Sequence, residues 1–203
     1  MQNIENIMRF IGECEKLKSV FRYWVTSSGR KESTADHSWR LALTVLLLGK
    51  EVWKDIDLFH AVKIALIHDL AEAITWDIDA YETHKNKDLK KQKEQDELIA
   101  MNHFKNILWW DIWEEIYSYW DEYEQWVTKE AKFVKALDKI ETLNQFCDAK
   151  KDVFDALDFI AFYADKHVAK VPELKEVLDI TKSKLKKSYE KWWFERKKEY
   201  DAY

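Results

Sequence analysis

The chain has 203 residues with a formal net charge of −5; 35% of them are charged, 3 are glycine and 1 is proline. Because glycine and proline disfavour helix interiors, this composition is typical of an all-α protein, and the length fits one domain over residues 1–203. The acidic balance excludes a global basic footprint for nucleic acid, and no apolar run reaches the length of a membrane span. We therefore expect a soluble helical bundle that binds neither nucleic acid nor membrane.

Helical spacing of apolar residues covers most of the chain. The first predicted helix covers 3–18, the second is capped by Ser33 or Thr34 and runs through Val52, and the third is capped by Asp57 and runs from Leu58 to about Ala73. Further helices are predicted over 85–105 and 111–125, after a cap at Thr128, and over 152–167. The last predicted helix has Pro172 in its first turn. Residues 17–31 are irregular, and residues 74–84 lose the periodicity, so we interpret the latter as a loop. No composition shift marks a second domain.

The two cysteines predict the compartment. Cys14 and Cys147 form neither a CxxC pair nor a metal-finger spacing, which is typical of buried thiols in a reducing environment. The N-terminus also lacks a basic-then-apolar signal pattern. Both observations predict a cytoplasmic location.

Tryptophan is unusually frequent, with 11 residues against 3 glycines, whereas average usage would give roughly 14 glycines in a chain of this length. Trp53, Trp76 and Trp126 occupy turn-like places where glycine is expected. One hypothesis is that some of these codons mean glycine in the source organism. The alternative is a protein that is rich in aromatic residues.

The most distinctive stretch is an adjacent histidine and aspartate, His68 and Asp69, in an otherwise apolar run from Ala65 to Glu72. Burying an unpaired charge is costly, so such residues usually have a partner or a metal. At these spacings Glu72 reaches roughly the same side of a helix as His68 and Asp69. Taken singly, however, a buried histidine is more often a hydrogen-bonded core residue, and an acid such as Glu72 is often the partner of a lysine.

Three motif blocks occur in a fixed order, and they read RKESTADHSWR at 30–40, HDLAEAITWDI at 68–78 and KALDKIE at 135–141. Together they resemble the 5′-deoxynucleotidase branch of the HD superfamily of metal-dependent phosphohydrolases, over about Ile4 to Lys150. The resemblance implies a single HD-domain helical bundle, with the motifs in residues 4–150 and the C-terminal helices of 152–203 packed on it. It also implies a homodimer.

The resemblance further implies the site residues. The metal ligands would be His37, His68, Asp69 and Asp138. Glu72 would be the catalytic acid that activates water, and Asp77 would assist at the substrate. The substrate side would consist of Arg22 and Tyr23 at the phosphate, and of Asp77, Ile78, Asp79 and Ala80 beside the nucleoside. Trp76 departs from the glycine that is usual in the family, and a true tryptophan there would crowd the pocket or force a strained turn.

Two imidazoles and two carboxylates suit a divalent transition metal such as Mn²⁺, Fe²⁺ or Co²⁺, with Mg²⁺ or Zn²⁺ as alternatives. Such a cation lowers the pKa of its bound water and neutralises charge on a phosphoryl oxygen. The function implied is removal of the 5′-phosphate from a (deoxy)nucleoside monophosphate. The alternatives are an HD-type phosphodiesterase, a nucleoside-triphosphate hydrolase, and a nucleotide-binding protein without catalysis.

Overall fold

The computed structural model describes residues 2–149 and 157–191, and within them helices alternate with short connections. The helices are α1 (Gln2–Cys14), α2 (Thr34–Val52), α3 (Leu58–Ile67), α4 (Glu72–Thr75), α5 (Ala80–Lys85), α6 (Lys87–Lys105), α7 (Trp110–Gln125), α8 (Lys129–Asp148), α9 (Leu157–Ala161), α10 (Asp165–Val168) and α11 (Lys175–Lys191). Short 3₁₀ turns, Glu15–Lys18 and Pro172–Leu174, follow α1 and precede α11. The all-α prediction is therefore confirmed. The predicted helix over 152–167 lies partly outside the described residues, and its described part is wrong as one helix, because a turn separates α9 from α10.

Capping side chains fix where the helices begin. Ser33 caps α2 through a capping box, in which its hydroxyl accepts from the backbone N–H of Asp36 and the Asp36 carboxylate accepts from the backbone N–H of Ser33. Asp57 caps α3 and Thr128 caps α8, as predicted. Because α2 begins at Thr34, His37 lies in its first turn.

The core forms where α2, α3 and α8 pack against one another. Leu41, Ile64 and Leu137, one from each helix, have no exposed surface. Residues of α6 and α7 contribute to a second apolar cluster, which includes Met101 and Phe104 of α6. Truncating one such buried leucine or isoleucine typically costs about 2–5 kcal/mol, so these contacts fix the relative positions of the helices that carry the predicted ligands. Within the described ranges, no helix is both long and apolar enough to cross a membrane.

The third predicted helix is shorter than its periodicity indicates. It ends at Ile67, the chain turns through His68 and Asp69, and a separate short helix begins at Glu72. The prediction of one helix from Leu58 to about Ala73 is therefore wrong. The apolar pattern misleads because the turn itself is buried: Leu70 is 4% exposed.

Two irregular segments also contain regular structure. Residues 17–31 hold most of an antiparallel hairpin, in which β1 (Phe21–Val25) pairs with β2 (Lys31–Ser33). The loop predicted over 74–84 is wrong at both ends, because α4 extends through Thr75 and α5 occupies Ala80–Lys85. Asp79 caps that helix by accepting a hydrogen bond from the backbone N–H of Tyr81 at 2.7 Å.

Backbone conformation separates the three turn-like tryptophans. Among the described residues other than glycine, only Trp76 and Trp126 have positive φ, at 67° and 39°. With ψ at 162°, Trp76 lies in a region that is essentially restricted to glycine. Trp53 instead has φ −142°, which is extended backbone that any residue adopts. The structure therefore favours glycine at two of the three positions. Trp76 is 63% exposed. A tryptophan at this position therefore strains the turn and does not crowd the pocket.

Trp76→Gly is expected to stabilise the protein by about 1 kcal/mol, because it relieves the positive-φ strain while removing little packing. Trp39 is a matched control, since it is 65% exposed and lies inside α2. Trp39→Gly is expected to destabilise by about 1 kcal/mol, the cost of glycine in a helix interior. Urea unfolding measures both changes, and destabilisation by both would contradict the prediction. The intact mass of the natively produced protein tests the codon hypothesis independently.

Candidate metal centre and active site

Side chains from three separate parts of the fold converge on one point. His37 comes from α2, His68 and Asp69 from the turn after α3, and Asp138 from α8. Ligand atoms of the first three all lie within 4.8 Å of one another. The Asp69 Oδ2 atom is 3.0 Å from His68 Nε2 and 3.8 Å from His37 Nε2. Asp138 contacts this group at His37, with Oδ1 3.1 Å from His37 Nε2. The structure therefore brings three of the predicted ligands together and places the fourth, Asp138, beside His37.

The unpaired atoms of this cluster provide a test of whether it suits a metal. Among the described residues, His37 Nε2, His68 Nε2 and Asp69 Oδ2 are buried and approach one another and Asp138, but none of these contacts has the geometry of a hydrogen bond. Leaving a buried polar atom unsatisfied costs about 1–3 kcal/mol, and three such atoms at one point are rare without a ligand. Imidazole nitrogens and carboxylate oxygens are also donors that divalent transition metals accept. The cluster therefore fits a divalent metal cofactor.

Electrostatics keep the two aspartates ionised. Burial acts to raise the pKa of Asp69, but the charges of His68, His37 and Arg22 hold it well below its ordinary value. Burial also acts against ionised Asp138, and Lys139 and His37 hold the pKa of this carboxyl well below its usual range. Both side chains are consequently carboxylates at neutral pH, the form that binds a cation.

The same field favours a proton on His37. Burial and the nearby Arg22 act to lower the pKa of His37, but Glu141 and Asp138 outweigh them and raise it to about 10. A cation at Nε2 therefore has to displace a proton, so metal uptake is coupled to proton release.

Contacts behind the ligands fix their orientation. His68 Nδ1 donates to the backbone carbonyl of Ala65 at 2.9 Å, and His37 Nδ1 lies 2.5 Å from Glu141 Oε2. The far oxygen of Asp138, Oδ2, accepts from the Tyr123 hydroxyl at 2.5 Å and lies 2.6 Å from Lys139 Nζ, which leaves Oδ1 facing His37. Sequence reasoning gave no role to Tyr123 or to Glu141. Only the folded arrangement of α7, α8 and α2 brings them to the cluster.

Glu72 lies beside the cluster, on the first turn of α4. It is 2% exposed, and its Oε2 accepts from the Thr34 hydroxyl at 2.9 Å. The other oxygen, Oε1, lies 3.4 Å from Lys93 Nζ on α6. Burial and the charge of Asp69 raise the pKa of Glu72 to about 8, and Lys93 acts in the opposite direction. A carboxyl with this pKa can give or take a proton near neutral pH.

The hairpin carries Arg22, the arginine predicted to bind the phosphate. Arg22 lies on β1 with its Nε 3.2 Å from Glu32 Oε2 and its Nη1 3.5 Å from Asp69 Oδ2. The guanidinium therefore reaches the edge of the cluster. Tyr23 is 38% exposed, and successive side chains of a strand point to opposite faces, so the structure does not bring Tyr23 to the cluster alongside Arg22.

The predicted nucleoside segment follows α4. Burial acts to lower the pKa of Arg22, but the charges of Asp77, Asp69 and Glu32 raise it well above its usual value. Ile78 and Asp79 are half-buried, and Asp79 is engaged in capping α5. Ala80 is exposed. Within this segment, Asp77 is the residue whose charge acts on Arg22 at the edge of the cluster.

Fold and site together define a class: an all-α protein whose buried histidines and aspartates converge on a divalent-metal site. The model of the HD domain family matches residues 14–193. The chain belongs to the HD domain family.

Named relatives are similar over most of their length. The 5′-deoxynucleotidase HDDC2 of Dictyostelium discoideum is 34% identical over 155 residues, which cover 73% of this chain and 80% of that protein. The human 5′-deoxynucleotidase HDDC2 is 34% identical over 143 residues, covering 69% and 66%. The solved structure of a predicted metal-dependent phosphohydrolase from Magnetospirillum magnetotacticum superposes with a TM-score of 0.80 at 22% identity, over 96% of this chain and 97% of that one. This last likeness shows the fold.

Proposed function

We propose that the protein is a metal-dependent 5′-deoxynucleotidase, which hydrolyses the phosphate from deoxynucleoside 5′-monophosphates. The relatives that carry this name support the proposal. The observation that carries it is the position of Arg22, whose guanidinium lies 3.5 Å from Asp69 at the edge of the cluster. A guanidinium offers the bidentate grip that suits a phosphate group. A phosphomonoester is thereby held against the residues that would bind the metal.

His37, His68, Asp69 and Asp138 would hold the metal, for which Mn²⁺, Co²⁺ or Fe²⁺ are the proposed ions and Mg²⁺ or Zn²⁺ the alternatives. When bound, a divalent cation supplies Lewis-acid chemistry: it lowers the pKa of a water molecule and neutralises charge on a phosphoryl oxygen.

The remaining roles belong to the side chains around the cluster. Arg22 orients the phosphate, and Glu72 takes the proton from the attacking water, because its raised pKa of about 8 suits proton transfer near neutrality. Asp77 assists on the substrate side. The nucleoside lies against the segment that includes Ile78, Asp79 and Ala80. Tyr23 stays a predicted contact of the substrate, which a rearrangement of the strand would have to bring inward.

A panel of three substrates tests the proposal. The Mn²⁺-loaded protein is incubated with dAMP, dATP or a cyclic dinucleotide, and the products are separated by chromatography. We expect deoxyadenosine and inorganic phosphate from dAMP, with turnover abolished by a chelator. Triphosphate release from dATP would instead show a triphosphate hydrolase, and opening of the cyclic dinucleotide a phosphodiesterase. Metal binding without any turnover would show a nucleotide-binding protein.

The wider predictions belong to the proposal as well. We propose a cytoplasmic protein, and the free thiols of Cys14 and Cys147 support a reducing compartment. We also propose a homodimer. The aromatic helix α7 turns Trp113 inward and leaves Trp109 and Trp110 exposed near its start, and light scattering would measure the assembly. The single domain over 1–203 stays a prediction, which the packing of α11 on α8 supports.

A further inference from the structure

His37 has a carboxylate of the same helix, α8, beside each of its ring nitrogens. α8 presents Asp138 and Glu141 three residues apart, and therefore on the same face, to the two sides of the imidazole. Asp138 Oδ1 is 3.1 Å from Nε2, and Glu141 Oε2 is 2.5 Å from Nδ1. Glu141 is 2% exposed, so water does not compete for this contact.

The second histidine of the cluster provides a comparison. His68 Nδ1 faces the backbone carbonyl of Ala65 at 2.9 Å. A carbonyl only accepts hydrogen bonds, so Nδ1 carries the proton and Nε2 keeps its lone pair for a ligand. A carboxylate is also an acceptor without a donor, so Glu141 imposes the same requirement on His37. The Nε2 atoms of both rings are buried at the cluster without a hydrogen-bond partner among the described residues.

We propose that Glu141 is a positioning residue of the metal centre, which keeps the proton of His37 on Nδ1 and holds the ring with Nε2 aimed at the cation. The inference rests on the proposed metal site and adds to it a residue that does not itself bind metal. Its physical basis is general: a carboxylate behind a metal-ligating histidine fixes the tautomer and raises the basicity of the ligating nitrogen.

A second contact explains how Glu141 is held in place. Its Oε1 lies 3.6 Å from Arg40 Nε, and Arg40 also donates to Gln145 and to Asp148 of α8, both at 2.6 Å. Because Arg40 lies on α2, one turn after His37, the carboxylate is fixed relative to the helix that carries the imidazole. A purely structural role in joining α2 to α8 is the competing explanation. The two explanations differ in what a change at Glu141 does to metal affinity.

Glu141→Gln is the discriminating variant, because it keeps the shape of the side chain but can also donate through its amide. It therefore no longer forces the proton onto Nδ1. We expect its affinity for Zn²⁺, measured by competition with a chromogenic chelator, to fall about 10–100-fold. We also expect long-range ¹H–¹⁵N NMR of the Zn²⁺-loaded wild-type protein to show the His37 proton on Nδ1.

Glu130→Gln is the matched control. Glu130 lies on the same helix, is 8% exposed, and accepts a hydrogen bond from the backbone N–H of Asp57 at 3.0 Å. We expect this variant to lose stability but to bind Zn²⁺ as the wild type does. A purely structural role of Glu141 predicts the same behaviour for Glu141→Gln.

Several outcomes would overturn the inference. A Zn²⁺ affinity of Glu141→Gln equal to that of the wild type would overturn this inference and leave the proposed metal site unaffected. A His37 proton on Nε2 in the Zn²⁺-loaded wild-type protein would have the same consequence. The NMR measurement needs no variant, so the inference remains testable even where Glu141→Gln does not fold. Failure of the wild-type protein to bind any divalent metal would overturn the proposed metal site together with this inference.

Discussion

Asp69→Ala is expected to remove both the bound metal and the phosphatase activity. Asp69 is central to the cluster, since its Oδ2 lies 3.0 Å from His68 Nε2 and 3.8 Å from His37 Nε2. The variant loses an ionised ligand, so the cluster offers a cation one carboxylate, that of Asp138, instead of two. We expect turnover to fall at least about 10³-fold, equivalent to roughly 4 kcal/mol of transition-state stabilisation. Metal content after dialysis and phosphate release from dAMP measure the two effects.

A control at the start of α3, the helix that precedes Asp69, separates metal loss from general destabilisation. Asp57 caps α3 by accepting a hydrogen bond from the backbone N–H of His60 at 3.0 Å. Asp57→Ala is expected to cost about 1 kcal/mol of stability, while metal content and activity are retained. A folded Asp69→Ala protein with a full complement of metal would refute the role assigned to Asp69.

Glu72→Gln is expected to keep the metal but to lose turnover, whereas Asp69→Ala is expected to lose both. The Glu72 oxygens contact Thr34 and Lys93 rather than the ligand atoms of the cluster. The glutamine preserves the bond from Thr34 but cannot accept a proton. General acid–base catalysis contributes about 10²–10⁴-fold, so we expect kcat to fall by this factor with an unchanged metal affinity. A variant that turns over at the wild-type rate would exclude Glu72 from the reaction.

The pH profile provides a second readout for Glu72. Lys93 lowers the pKa of this carboxyl through its charge, while burial, the largest effect, raises it. Removing the charge in Lys93→Met is therefore expected to raise the pKa of Glu72 further. Because a base has to be deprotonated, the acidic limb of kcat/KM should move to higher pH. An unmoved limb would assign it to another group.

The four proposed ligands could be singled out from the sequence because they lie in motif blocks with a fixed order. His68 and Asp69 are adjacent, and each of His37 and Asp138 is flanked by residues typical of the family. The residues that orient these ligands carry no such signal. Tyr123 reaches Asp138 only because α7 folds back onto α8, and the contact between Glu141 and His37 spans more than half of the chain.

Local structure was predictable where the chemistry is local. Ser33, Asp57 and Thr128 cap helices through their own side chains, so each boundary can be read from a few residues. The break after Ile67 could not be found in this way, since a buried turn and a buried helix show the same apolar pattern. The hairpin was not predicted for a related reason. Only Trp24 of β1 is buried, so the alternation of buried and exposed residues that marks a strand is hardly visible.

The hairpin has a consequence for how substrate range can diverge within this architecture. β1 and β2 carry Arg22 and Glu32, whereas the four proposed ligands come from the helices and from the turn between α3 and α4. The connection between the strands, from Ser27 to Arg30, is exposed. Insertions or substitutions there would redirect the guanidinium while the helices that carry the histidines and aspartates stay in place. Because Arg22 also lies 3.5 Å from Asp69, a change of substrate selectivity at the hairpin would alter the charge at the metal site as well.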